Sequence, residues 1–254
     1  MKQQRMTMPV YSEFGGSYVA RGFELAFQKG VRRYVWVPLI INIVLFSVAI
    51  YYTFHYATMW VADLMAWLPS YLQWLEVLLW PLVIIGVVLV FALTFTSVAN
   101  IIASPFNSLL AEKVEYKLTG IAPVDGGVSG MVRDIPRIIG RELQKIIYFL
   151  PRIIGFGLLL LFVPIVGQLL WFLFGGWMMT IQYADYPFDN HKVPFRTMRA
   201  ELWQRSGKSL SFGCIVAVLA SIPIVNLMMI PVAVCGATAM WVDHIRFATN
   251  DTMK

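Results

Sequence analysis

The strongest constraint on this chain is where its charges are not. Asp, Glu, Lys and Arg are absent from four long windows, residues 34–62, 77–111, 153–184 and 209–242. Only 13% of the 254 residues are charged and 59% are hydrophobic, whereas a soluble domain carries about 25% charged residues. Charge is therefore sorted along the chain, which identifies an integral membrane protein. The formal net charge of +6 then reports orientation and contact with anionic lipid, and nucleic acid is not an expected partner. The N-terminal residues lack the apolar core of a cleavable signal peptide, so the first window is expected to act as its own insertion signal.

The first two windows hold 29 and 35 residues. As helices each exceeds roughly 43 Å, enough to cross a hydrocarbon core of about 30 Å. The third and fourth are interrupted by Pro164-Ile165-Val166-Gly167 and Pro223-Ile224-Val225-Asn226. Each interruption follows a Phe-Gly pair (Phe156-Gly157 and Phe212-Gly213), a weak internal repeat. The first halves run only 11 and 14 residues, lengths that suit re-entrant segments.

Six Lys or Arg residues precede the first window, seven lie between the second and third, five between the third and fourth, and two follow the fourth. Residues 63–76 carry none, and their Trp67, Tyr71 and Trp74 suit an interfacial belt. Every segment except that loop is expected in the cytoplasm, so the third and fourth windows begin and end on one side. The expected fold is an all-α integral membrane protein with two long transmembrane helices, two proline-tipped re-entrant (hemi-penetrating) helical hairpins and cytoplasmic termini. It reads as a single membrane domain over residues 1–254. Residues 1–33 supply an N-terminal segment whose amphipathic helix lies on the membrane surface, with Arg21 and Glu24 on its polar face. Residues 34–62 and 77–111 form the transmembrane helices, 112–152 a basic cytoplasmic helical segment, and 153–184 and 209–242 the hairpins.

Gly30-Val31-Arg32-Arg33 stands at the mouth of the first window. A glycine turn, free N–H groups at a helix start and two forked guanidinium groups suit a tetrahedral oxyanion. The bland alternative is a pair of lipid anchors. Arg133, Arg137, Arg141 and Lys145 recur every four residues and would form one helical stripe. With Glu112, Glu115 and Glu142 this stripe is expected to be a structural charge network. The same charges, notably Glu112, Glu115, Arg133, Arg137 and Arg141, could line or gate a pore. Asp185, Asp189, Asn190 and His191 sketch a metal site, yet Asp185 and Asn190 fit capping or turn roles better. His55 reads as an interfacial residue, and adjacent Asp243 and His244 should face different ways. Cys214 and Cys235 have no redox or ligand spacing and read as packing residues.

Three stretches in order carry a family resemblance. They are Gly30-Val31-Arg32-Arg33 with Val37-Pro38-Leu39-Ile40-Ile41-Asn42, Ala103-Ser104-Pro105-Phe106-Asn107 with Leu110-Ala111-Glu112-Lys113-Val114-Glu115, and Tyr183-Ala184-Asp185-Tyr186-Pro187-Phe188-Asp189-Asn190-His191. On these the chain resembles the CysZ family of bacterial sulfate transporters along nearly its whole length. The resemblance implies a permease of the bacterial inner membrane that imports sulfate for cysteine synthesis, with hemi-penetrating helices and oligomeric assembly. It maps a sulfate-binding Gly-Leu-Arg motif onto Gly30, Val31 and Arg32, with Arg33 adjacent and valine in place of leucine.

No Walker-type loop, His-Glu-x-x-His or nucleophile elbow is present, so no enzyme, cofactor or resident metal is expected. The expected partners are sulfate or another tetrahedral oxyanion, membrane lipid and further copies of the chain. The competing expectation is a non-transporting membrane scaffold or lipid-interacting protein.

Overall fold

The structure is a computed structural model that describes residues 14–67, 74, 76–121 and 128–244. Those residues form eight helices: α1 (Gly16–Phe27), α2 (Arg32–Trp67), α3 (Glu76–Thr119), α4 (Val128–Phe162), α5 (Pro164–Asn190), α6 (Phe195–Gln204), α7 (Ser206–Ala220) and α8 (Pro223–His244). No strand occurs among the described residues, so the all-α expectation holds. Segments Arg32–Asp63, Pro136–Phe162 and Ile165–Asn190 are each long and apolar enough to cross a membrane. Residues 1–13, Tyr71 and Gly126-Gly127 lie outside the described residues.

Residues 36–104 make one compact unit. Its α2 portion carries a run of exposed rings. Tyr51 stacks on His55 at 6.1 Å between centroids, and Tyr52 stacks on Tyr56 at 6.3 Å. Trp60 and Trp67 continue the exposed series. An exposed row of amphipathic rings fits a headgroup region, in line with the interfacial reading of His55.

The second unit takes the residues up to Val35 and from Pro105 onward. In it α5 packs against α4, α6, α7 and α8, while α1 lies along α8 and touches α7. Both proline interruptions break the chain where expected. Val163 leaves helical geometry (φ −132°, ψ 74°) and Pro164 starts α5, where a missing N–H does no harm. Ser221, still near helical geometry (φ −70°, ψ −16°), and Ile222 separate α7 from α8, which Pro223 starts.

Two expectations change. The arm before Val163 is not an 11-residue stub, because α4 runs unbroken from the basic stripe through Pro136 and Pro151. Its charged residues find partners on α5, so nothing forces the helix to end at Arg152. Nor is α1 free to lie with Arg21 in water. Tyr18, Val19, Arg21, Gly22, Leu25 and Ala26 are all buried, and Arg21 Nη1 reaches Asp243 Oδ2 of α8 at 2.5 Å.

Candidate functional site

The Gly30 turn joins α1 to α2 through backbone that only glycine adopts easily. Gly30 has φ +89°, and Lys117 Nζ on α3 donates to the carbonyl of preceding Lys29 at 3.2 Å. Val31 is fully buried in the same apolar cluster as Val35, Leu110, Ala111 and Val114. The side chain at the valine-for-leucine position therefore packs the turn. Arg32 and Arg33 lie exposed on the first turn of α2. Arg33 Nη2 donates to Tyr34 Oη at 3.0 Å, and its guanidinium sits 4.9 Å from the Tyr34 ring centroid. Among the described residues neither arginine has a carboxylate within ion-pair distance.

The expected backbone donors are partly spent. The N–H groups of Val31 and Arg32 both donate to the Gln28 carbonyl, at 3.1 Å each. An oxyanion at this turn would meet the guanidinium forks, which remain uncompensated, more than these amides.

The basic stripe on α4 is different, because its charges are met from α5. Arg137 pairs with the Asp189 carboxylate and donates from Nη1 to the Asp189 carbonyl at 2.8 Å. Arg141 Nε donates to Asp185 Oδ1 at 2.7 Å, and its Nη1 donates to the Val193 carbonyl at 2.7 Å. Lys145 is buried and lies 2.6 Å from Glu142 Oε1 and 3.3 Å from Asp185 Oδ2. The Arg137–Asp189 and Arg141–Asp185 rungs step by four residues on each helix, so both partners share one helical face, and Lys145 joins the second rung through Asp185.

Asp185 is therefore not a cap. It stands inside α5 and compensates two buried cations. Glu115 meets His191, with 2.8 Å between Oε2 and Nε2, and Glu112 is half-buried on α3. Arg133 belongs to α4, but its side chain lies outside the described residues.

The segment from Tyr183 to His191 also ties α5 to the end of α3. Asn107 Nδ2 donates to Tyr186 Oη at 3.2 Å, and Asn190 Nδ2 donates to the Ser108 carbonyl at 2.9 Å. No group of three or more potential ligands could hold a metal ion among the described residues. At the C-terminal end of α8, Asp243 and His244 converge despite being neighbours. Tyr18 Oη donates to Asp243 Oδ2 at 3.1 Å and lies 2.7 Å from His244 Nε2. Burial, first, and the Asp243 charge push the Tyr18 phenol well above its usual range. Sequence alone missed this cluster because its members lie more than 200 positions apart.

The arrangement holds one exposed, uncompensated cationic turn and one neutralised buried ladder, joined through the packed ends of α3 and α5. A family model described as sulfate transporter CysZ/etoposide-induced protein 2.4 matches residues 18–231. That span takes in the turn, the α3 and α5 contacts, the α4–α5 pair, and α7 with the first part of α8. The chain is a sulfate-transporter-like membrane protein and belongs to the CysZ/etoposide-induced protein 2.4 family.

Proposed function

We propose that this protein is a sulfate permease that imports sulfate across the bacterial inner membrane for cysteine synthesis. The oxyanion site is the Gly30-Val31-Arg32-Arg33 turn. The observation that carries the assignment is the pair of exposed arginines without acid partners among the described residues, on a turn anchored by buried Val31. Arg32 and Arg33 supply forked donors to sulfate oxygens, Gly30 sets the turn, and Val31 fixes its position. Sulfate is strongly hydrated, so fixed donors must replace part of its water along the route.

The whole chain acts as one membrane domain with both termini in the cytoplasm, and it assembles from several copies. Its proline-tipped pairs dip into the membrane from the cytoplasmic side. The charge-free end of α4 supports that depth, because residues 153–162 reach about 15 Å, half of a core of about 30 Å. The apolar tip supports it too, with Phe162 80% and Ile165 87% exposed. The network of Glu112, Glu115, Arg133, Arg137 and Arg141 braces the arms, and its opening would gate the route. Entry of a dianion against an inside-negative potential costs about 4.6 kcal/mol per 100 mV. Net import thus requires consumption inside, a steep inward gradient or a coupled proton.

Sulfate binding to the purified protein in detergent tests the site. Titration calorimetry should show saturable binding by the wild type and at least a tenfold loss in Arg32→Ala, at roughly 1.5–3 kcal/mol per charged hydrogen-bonded contact. Equal affinity in both proteins would remove the turn from the mechanism.

A further inference from the structure

A second pair of arginines also has no carboxylate within ion-pair distance among the described residues, beside an exposed apolar stretch of α4. Arg152 is the last charged residue of α4 before its apolar arm, and Arg199 lies on α6. Both guanidinium groups pack on one ring. The Arg152 Cζ lies 3.7 Å and the Arg199 Cζ 4.3 Å from the Tyr148 centroid, so the two carbons are at most about 8 Å apart. Trp177 Nε1 donates to Tyr148 Oη at 3.3 Å and fixes the ring on which both pack. Arg152 spends Nη1 on the Tyr148 carbonyl at 2.7 Å, which leaves Nε and Nη2 available. Arg199 Nε is buried and has no hydrogen-bond partner among the described residues.

Two like charges held this close, with a buried donor left unmet, are stabilised by an oxyanion between them. The surroundings decide its source. Ile147, Leu150 and Ile154 are exposed apolar residues of the same helix, and exposed Trp203 meets Trp177 edge-on at 5.6 Å. A free, strongly hydrated ion gains nothing from such a border, whereas the headgroup of an amphiphile needs it. We propose that Arg152 and Arg199 form a phosphate-binding site for an anionic phospholipid headgroup, whose acyl chains run along the exposed face of α4.

Native mass spectrometry of the full chain in detergent, titrated with dioleoyl phosphatidylglycerol, tests this. Wild type should retain the lipid about tenfold more tightly than Arg152→Gln/Arg199→Gln. Arg152→Lys/Arg199→Lys should fall between them, because it keeps charge but loses the forks. Arg32→Ala/Arg33→Ala should bind lipid as wild type does, which separates this site from the sulfate turn. Should the double glutamine variant lose its far-UV circular dichroism, Arg152→Gln alone, at an exposed position, must still weaken retention several-fold. Unchanged retention in the folded glutamine variants would overturn the proposal. So would displacement of the lipid by millimolar inorganic sulfate or phosphate, which would make the site one for free ions.

Discussion

Gly30 holds a backbone conformation that costs a residue with a Cβ about 1–2 kcal/mol. A Gly30→Ala variant should therefore show a lower thermal midpoint, and Gly30→Asn should lose less because asparagine tolerates the left-handed region. Unchanged stability in the alanine variant would mean that the turn is not built as described. Its neighbour Val31 works through its side chain. Val31→Ala removes buried surface and should cost about 2 kcal/mol, whereas Val31→Leu tests whether the pocket accepts the family's residue. On α5, Asp185 compensates both Arg141 and Lys145. Asp185→Ala leaves two buried cations short of a partner and should cost about 3–5 kcal/mol in chemical denaturation. A loss below about 1 kcal/mol would show that water reaches the ladder and that the rungs behave as surface pairs.

At the scale of elements, the claim to test is how the proline-tipped pairs meet the membrane. A cysteine at Ile165 should resist a membrane-impermeant maleimide in both right-side-out and inside-out vesicles, since the proposed tip ends within the hydrocarbon. Labelling from the periplasmic side would show that the α4–α5 pair crosses completely. The α5–α7 contact is equally specific. A Cβ on Gly213 would come 1.8 Å from the Gly176 carbonyl oxygen, so Gly213→Ala should force the helices apart and destabilise the unit by at least about 1–3 kcal/mol.

The corresponding glycine of the other pair, Gly157, has open space apart from an ordinary 3.8 Å approach to Trp171. The Phe-Gly repeat is thus real in sequence but unequal in structure. The charge-free windows and both proline breaks were legible because they follow from composition and from a missing N–H. Helix α4 was not, because the sequence reading ended the arm at Arg152, and only contacts with distant Asp185 and Asp189 explain why it continues. The burial of Arg21 was hidden for the same reason, since its partner Asp243 lies over 200 residues away. The oxyanion turn was visible as a motif, but the commitment of the Val31 and Arg32 amides to Gln28 was not.

On the scale of the whole molecule, two groups of basic residues differ in a way that composition cannot show. Arg137, Arg141 and Lys145 are paired with carboxylates, while Arg32 and Arg33 present charge without acid partners among the described residues. Arg32 and Arg33 can exchange water for a mobile anion without first breaking an ion pair, which Arg137, Arg141 and Lys145 cannot. The account therefore predicts that transport and fold respond to different substitutions. Asp185→Asn should damage stability before selectivity, and Arg32 or Arg33 substitutions should abolish sulfate handling in a protein that remains folded. Radiolabelled sulfate uptake into proteoliposomes, wild type beside Arg32→Ala/Arg33→Ala, tests this most directly. The account predicts uptake well above empty liposomes for the wild type and its collapse in the variant, with equal thermal stability. Uptake undiminished in the variant would contradict the arginine site, and folded wild type that carries no sulfate would contradict the permease itself.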